Sequence, residues 1–137
     1  MLHNGDIKLD ALFRNYKVWQ DAVDYASKVY KVTSDMPWFE KKGLCDQLQR
    51  AVVSISSNIA EGAAKLSDAE FAHYLDTSLG SAFEVETQLL IANNLGYIKN
   101  ANENTNVNDG VTYEELLDNL QEIERQLAAL IKTLRNS

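Results

Sequence analysis

AVVSISSNIAEG, residues Ala51 to Gly62, decides how this chain is read. With Leu44 and Leu48, residues Ala51, Val52, Ile55 and Ile59 repeat at helical spacing and make one apolar face. Ten consecutive residues, Ala51 to Ala60, carry no charge, and four of the ten are small and polar: Ser54, Ser56, Ser57 and Asn58. Serine and asparagine are mediocre helix formers because their side chains compete for backbone groups. On a solvated helix the face opposite the core is normally rich in Lys and Glu. Here that face reads Arg50, Ser54, Ser57, Glu61, at four-three-four spacing. Such a stripe is expected to be covered by a neighbour that comes close and satisfies its polar atoms.

Three further helices flank this one. In the first, Leu12, Tyr16, Trp19, Val23, Ala26 and Tyr30 form one apolar stripe, and Val18, Ala22, Tyr25, Val29 and Val32 form a second. At roughly 100° per residue the stripe centres lie about 120° apart. One face is enough for an intramolecular core, so the second needs another partner. In the third helix Phe71, Leu75, Ser78, Ala82, Val85, Leu89 and Ala92 face inward, beside a polar stripe of Thr77, Ser81, Glu84 and Gln88. Ser67 with Glu70 and Thr112 with Glu115 read as capping boxes opening the third and fourth helices, and Gly96 reads as a stop. In the fourth, Tyr113, Leu116, Leu120, Ile123, Leu127, Leu130 and Leu134 keep heptad spacing.

The expected organisation is all-α, with an N-terminal arm over residues 1–11 and a four-helix bundle over 12–135. Its helices cover about 12–33, 40–64, 68–95 and 113–135, with an Asn-rich loop over about 97–111 read as mobile and without chemistry. Short first and second connections predict antiparallel, up-down-up-down order. Across the turn near Lys65 the Arg50 stripe should then run antiparallel to the Thr77 stripe. That places Arg50 opposite Ser81 and predicts an Arg50–Glu84 charge pair, within one subunit or between two. Together Arg50, Ser54, Ser57, Asn58, Glu61, Ser81 and Glu84 make the expected structural polar network.

Charge and composition restrict function. The chain of 137 residues carries a net charge of −7, one cysteine and one proline. Residues 1–65 hold 9 Lys/Arg against 8 Asp/Glu, and residues 66–137 hold 4 against 12. An acidic chain repels phosphate backbones, so nucleic-acid contact would need a local basic patch drawn from Lys28, Lys31, Lys41, Lys42, Lys65 and Arg50. The lone Cys45 excludes an internal disulfide and suits a reducing compartment; it reads as a small apolar filler. No apolar signal core or membrane-length run is visible, so the protein reads as cytoplasmic.

Candidate chemistry is thin. Glu70 and His73 have the spacing of a di-iron half-site, but the second histidine is His3, outside the bundle. Nothing places Ser54 or Ser57 with His73 for nucleophilic catalysis. Gly43 and Gly62 lack the strand and spacing of a phosphate loop. Tyr16, Trp19 and Tyr30 could stack bases but sit at the helical spacing of core residues; Trp38, in a loop, is the aromatic expected to be exposed. No catalytic residue, metal or cofactor is expected.

Four stretches carry a resemblance: YKVWQDA at Tyr16 to Ala22, MPWFEKKGLCDQLQRA at Met36 to Ala51, VSISSNIAEG at Val53 to Gly62, and LGSAFEVETQLLIANNLGYI at Leu79 to Ile98. In order and spacing, over roughly residues 13 to 135, they resemble the four-helix-bundle family first known from proteins encoded by intervening sequences in 23S rRNA genes. The accessory proteins of diversity-generating retroelements belong to the same wider group. The resemblance implies a left-handed antiparallel bundle, a ring-shaped homopentamer and a non-enzymatic role. In the retroelement branch it implies a basic ring that binds nucleic acid and a protein partner. This chain departs from that branch: it is acidic, its last helix has only Arg125, Lys132 and Arg135, and Ala63-Ala64-Lys65 follows where many relatives carry arginine. The ribosomal part of the name reflects gene location. The expectation is a homo-oligomeric scaffold presenting a surface to an unidentified protein partner, with RNA or DNA binding as the alternative.

Overall fold

A computed structural model describes residues 13–101 and 110–137. The N-terminal arm, Leu12, His3 and the centre of the Asn-rich loop lie outside the described residues. Four long helices account for most of the described chain: α1 over Lys17–Ser34, α2 over Leu44–Ala63, α3 over Asp68–Asn94 and α4 over Tyr113–Arg135. No strand occurs among the described residues. Short 3-10 turns at Phe13–Asn15 and Trp38–Glu40 precede α1 and α2.

Local chemistry sets the helix ends. Ser67 Oγ accepts the Glu70 N–H at 3.1 Å, and Thr112 Oγ1 accepts the Glu115 N–H at 3.1 Å. Each supplies a partner to one orphan donor of a first turn. Beyond α3, Gly96 adopts φ +80°. Gly96 N–H donates to Asn93 O and Tyr97 N–H to Ala92 O, both at 3.0 Å, which is the bonding of a glycine C-terminal stop. Two expected starts move inward. Tyr16 is extended, so α1 begins at Lys17 rather than near Leu12. Gly43, at φ −109° and ψ −107°, delays α2 to Leu44 rather than Glu40. Glu40 still serves the N-terminus of α2, with Oε1 facing the Leu44 N–H at 3.4 Å. The loop after α3 is tied at its described ends: Ile98 is buried, and Tyr113 N–H donates to Lys99 O at 2.7 Å.

Named contacts run antiparallel between neighbours. Ser54 bonds Ser81 while Ser78 bonds Ile55, joining α2 to α3. Gln126 bonds Asp21 while Tyr25 bonds Leu116, joining α4 to α1. Arg135 pairs with Asp76 between the end of α4 and the first half of α3.

The core takes one stripe from each helix. From α2 to α4 it is largely the stripe read from sequence, with Leu48, Val52, Ile55, Ile59, Leu75, Leu89, Leu120 and Leu127 fully buried; near the end of α4, however, Ile131 turns inward while Leu130 and Leu134 are half-buried. On α1 the inward stripe is Val18, Ala22, Tyr25 and Val29. The expectation that Tyr16, Trp19 and Tyr30 are core is corrected. Tyr30 is 45% exposed, and Tyr16 and Trp19 are half-buried at the flank, edge-on to Phe71 at 5.6 Å and Phe13 at 4.9 Å. A single helix face fits between α2 and α4, and a stripe about 120° away cannot share it. Cys45 is buried against Thr33 and Met36, as a filler would be.

Tyr25 joins packing to polar satisfaction. Its ring is 2% exposed, and its hydroxyl donates to Leu116 O at 2.9 Å. Burial, then the carboxyls of Glu124 and Glu86, push its pKa far up, so it remains a donor. Tyr25→Phe is expected to lower unfolding free energy by about 1 kcal/mol, read from urea denaturation, with helical circular dichroism unchanged.

Candidate interaction surfaces

The polar stripe of α2 meets α3 one turn away from the expected register. Ser54, not Arg50, faces Ser81, with the two Oγ atoms 2.8 Å apart. Asn58 Nδ2 donates to Ser54 O at 2.8 Å and to Ser54 Oγ at 2.9 Å. Ser78 Oγ donates to Ile55 O at 2.8 Å. These small side chains let α2 and α3 approach closely. A Cβ built on Gly62 would lie 2.7 Å from Tyr74 Cβ and 2.9 Å from Phe71 Cδ1. The expected Arg50–Glu84 pair is not formed within the chain. Arg50 Nε instead donates to Asp46 Oδ2, one turn back on α2, at 2.9 Å. An i,i+4 carboxylate is reached with little loss of side-chain freedom, whereas Glu84 is exposed on another helix. The structure therefore gathers Ser54, Asn58 and Ser81, and leaves Arg50, Ser57, Glu61 and Glu84 exposed.

The basic residues do not all gather in one place in the chain. Lys41 and Lys42 precede α2 and Lys65 follows it, so they lie about 30 Å apart along a helix of 20 residues. Lys65 sits over the Tyr74 ring at 5.0 Å. Lys28 lines a hollow between α1 and α4 with Asp21, Asp24 and Glu122, and Lys31 lines another beside Asp35 and Val111. Glu70 and His73 are both exposed, and among the described residues no three His, Cys, Asp or Glu side chains come together as metal ligands.

Two features escaped the sequence. The first is a carboxyl pair, Glu86 on α3 and Glu124 on α4. Glu124 Oε2 is buried with no hydrogen-bond donor. Burial, then hydrogen bonding and repulsion from Glu86, push its pKa up to about 8, against a small opposing pull from Arg125. The available signal was weak: Glu124 directly follows core Ile123, and Glu86 directly follows core Val85. The second feature is the amount of apolar surface left outside. Trp38 is 86% exposed as expected, but so in large part are Phe39 at 60% and Phe83 at 52%, with Leu90, Ile91 and Leu95 near half. Single exposed apolar residues are ordinary, whereas aromatic groups at this exposure mark interfaces.

Four amphipathic helices with close serine-lined packing, and apolar surface to spare, define a small all-helical bundle protein. This chain belongs to the 23S rRNA-intervening sequence protein family, whose family model matches residues 14–129. Its fold is similar to that of a protein of unknown function from the S23 ribosomal protein family of Bacteroides thetaiotaomicron. That likeness has a TM-score of 0.69 at 24% identity and covers 84% of this chain and 95% of the other. No curated protein matches the sequence significantly. No described helix is long and apolar enough to cross a membrane.

Proposed function

We propose that this chain is a non-enzymatic cytoplasmic scaffold that assembles with copies of itself, five in number as the family resemblance implies, and presents a surface to a protein partner. The supporting observation is the exposed apolar set: Trp38, Phe39, Phe83 and Leu90, with Tyr30 and Val23 on the second stripe of α1. Covering such groups is the ordinary driving force of association. Ser57 and Val53, both exposed on the charge-poor face of α2, fit a close neighbour better than water.

Native mass tests this directly. A species at five times the 15.4 kDa chain mass is expected by sedimentation at micromolar concentration. A stable single-chain species there would end the reading. Nucleic-acid contact has less support, because Lys65 lies at the far end of α2 from Lys41 and Lys42, and Lys28 and Lys31 stand beside carboxylates. Filter binding at low salt is expected to show no retention of RNA or DNA; affinity that falls steeply with salt would favour that alternative instead.

A further inference from the structure

Two exposed features of the chain are complementary, and they are carried by different elements. The first is a groove on the outer side of α3 and α4. Leu79, Phe83 and Leu90 line it from α3, and Leu117 and Ala128 from α4. Phe83 is common to its two adjoining hollows; Glu124 lines one and Glu86 the other. The groove is thus apolar along its walls with two carboxyls within; Arg125 also lines the first hollow but is held by Glu122 at 3.0 Å, and one carboxyl oxygen, Glu124 Oε2, is buried without a donor.

The second feature is the Trp38–Lys42 turn ahead of α2. Its only acid is turned inward: Glu40 Oε2 accepts from Tyr97 OH at 3.0 Å, and Oε1 faces the Leu44 N–H. What remains outside is Trp38 and Phe39, edge to face with centroids 6.1 Å apart, followed by Lys41 and Lys42, both exposed. Among the described residues neither lysine is in an ion pair. The turn therefore presents two aromatic rings and two ammonium groups. The groove presents apolar walls and two carboxyls.

We infer that the α3–α4 groove of one copy receives the Trp38–Lys42 turn of a second copy, a contact that rests on the self-assembly proposed above. The rings would cover Phe83 and Leu90, and a lysine would add a cation beside the carboxyl pair, since the nearby Arg125 is engaged by Glu122. Within one chain the turn does not fill the groove, since Trp38 stays almost fully exposed. Each copy owns one groove and one turn, so the contact is head-to-tail. It repeats from copy to copy and closes into a ring when the rotation permits. A dimer related by a two-fold axis would instead need both turn-to-groove contacts to form at once between the same two copies, although the turn precedes α2 and the groove lies between α3 and α4.

Half-disabled chains test the pairing. Phe83→Glu spoils the groove and keeps the turn. Trp38→Ala with Phe39→Ala spoils the turn and keeps the groove. All three positions are exposed, so folding is expected to survive, and circular dichroism verifies it; Leu90→Glu is the second groove variant. With wild type assembled, each variant alone is expected to fall to the single-chain mass of 15.4 kDa. Mixing the two is expected to give a complex of two chains and no larger, at concentrations raised to offset the lost ring closure. Variants that keep the wild-type mass, or a mixture that stays single-chain, overturn the pairing while leaving self-assembly standing. A single-chain wild type removes self-assembly and this contact with it.

Discussion

Gly62→Ala is expected to destabilise the protein by about 1–3 kcal/mol, although alanine is the better helix former. The added Cβ would lie 2.7 Å from Tyr74 Cβ and 2.9 Å from Phe71 Cδ1. Tyr74 Cβ is fixed to the backbone of α3, so it cannot swing aside as a side-chain tip would. Either α2 and α3 separate or one slides, and both loosen the Ser54–Ser81 and Ser78–Ile55 bonds. Gly62 lies in the last turn of α2, so the intrinsic gain from replacing a helix glycine, at most about 1 kcal/mol, offsets only part of this loss. Gly80 supplies the control. It lies inside α3 with nothing within 4 Å of an added Cβ. Gly80→Ala should therefore stabilise by about 0.5–1 kcal/mol. Urea denaturation at one protein concentration, so that assembly is held constant, reads both. Opposite signs are expected, and equal shifts would show that the α2–α3 approach is looser than described.

Glu124→Gln should change how stability depends on pH. The folded-state pKa of Glu124 is pushed up to about 8 from an ordinary 4.5, by burial first and Glu86 second. The folded protein thus holds a proton on Glu124 that the unfolded chain has released. Its contribution is fully present below about pH 4.5 and is lost as pH rises towards 8. Glutamine keeps the shape and a donor for Glu86 without a proton to lose. In the single-chain state, with no lysine docked beside the pair (the Trp38→Ala, Phe39→Ala background), the variant and its parent should melt together near pH 5, and the variant should melt higher near pH 8.5. The pair is partly open to solvent and its repulsion is screened, so a difference on the order of 1 kcal/mol is expected at the alkaline end. A pH-independent difference would place the proton elsewhere.

These two predictions concern contacts of different origin. Gly62 belongs to the stretch that stands out in the sequence, and its glycine is where a helix must be approached closely. Glu86 and Glu124 are 38 positions apart, and each reads alone as an ordinary surface acid. Their meeting depends on how α3 and α4 are rotated against one another. The Arg50–Glu84 pair is not formed within one chain for a related reason. Sliding one helix past its neighbour by a turn, about 5.4 Å, restores the same stripe to the same side. Periodicity therefore cannot separate Arg50 from Ser54 as the partner of Ser81.

The sequence by itself determined the helices and the ends that carry a cap or a glycine stop, while the starts of the first two helices lay further in, at Lys17 and Leu44. Periodicity, the capping serine and threonine and the glycine stop all act within one or two turns, so Ser67, Thr112 and Gly96 could be read with no knowledge of the neighbours. It also determined the inward stripes of α2, α3 and α4 in the main, because i, i+3, i+4 spacing marks them even on α3, where Phe83, Leu90 and Ile91 lie off the stripe. Only the tertiary structure decided which of the two stripes on α1 turns inward, which serine meets Ser81, and that two carboxyls share the α3–α4 groove. Those are matters of rotation and axial shift between helices. They are fixed by contact, as at Gly62 against Phe71 and Tyr74, and no repeat along a single helix encodes them.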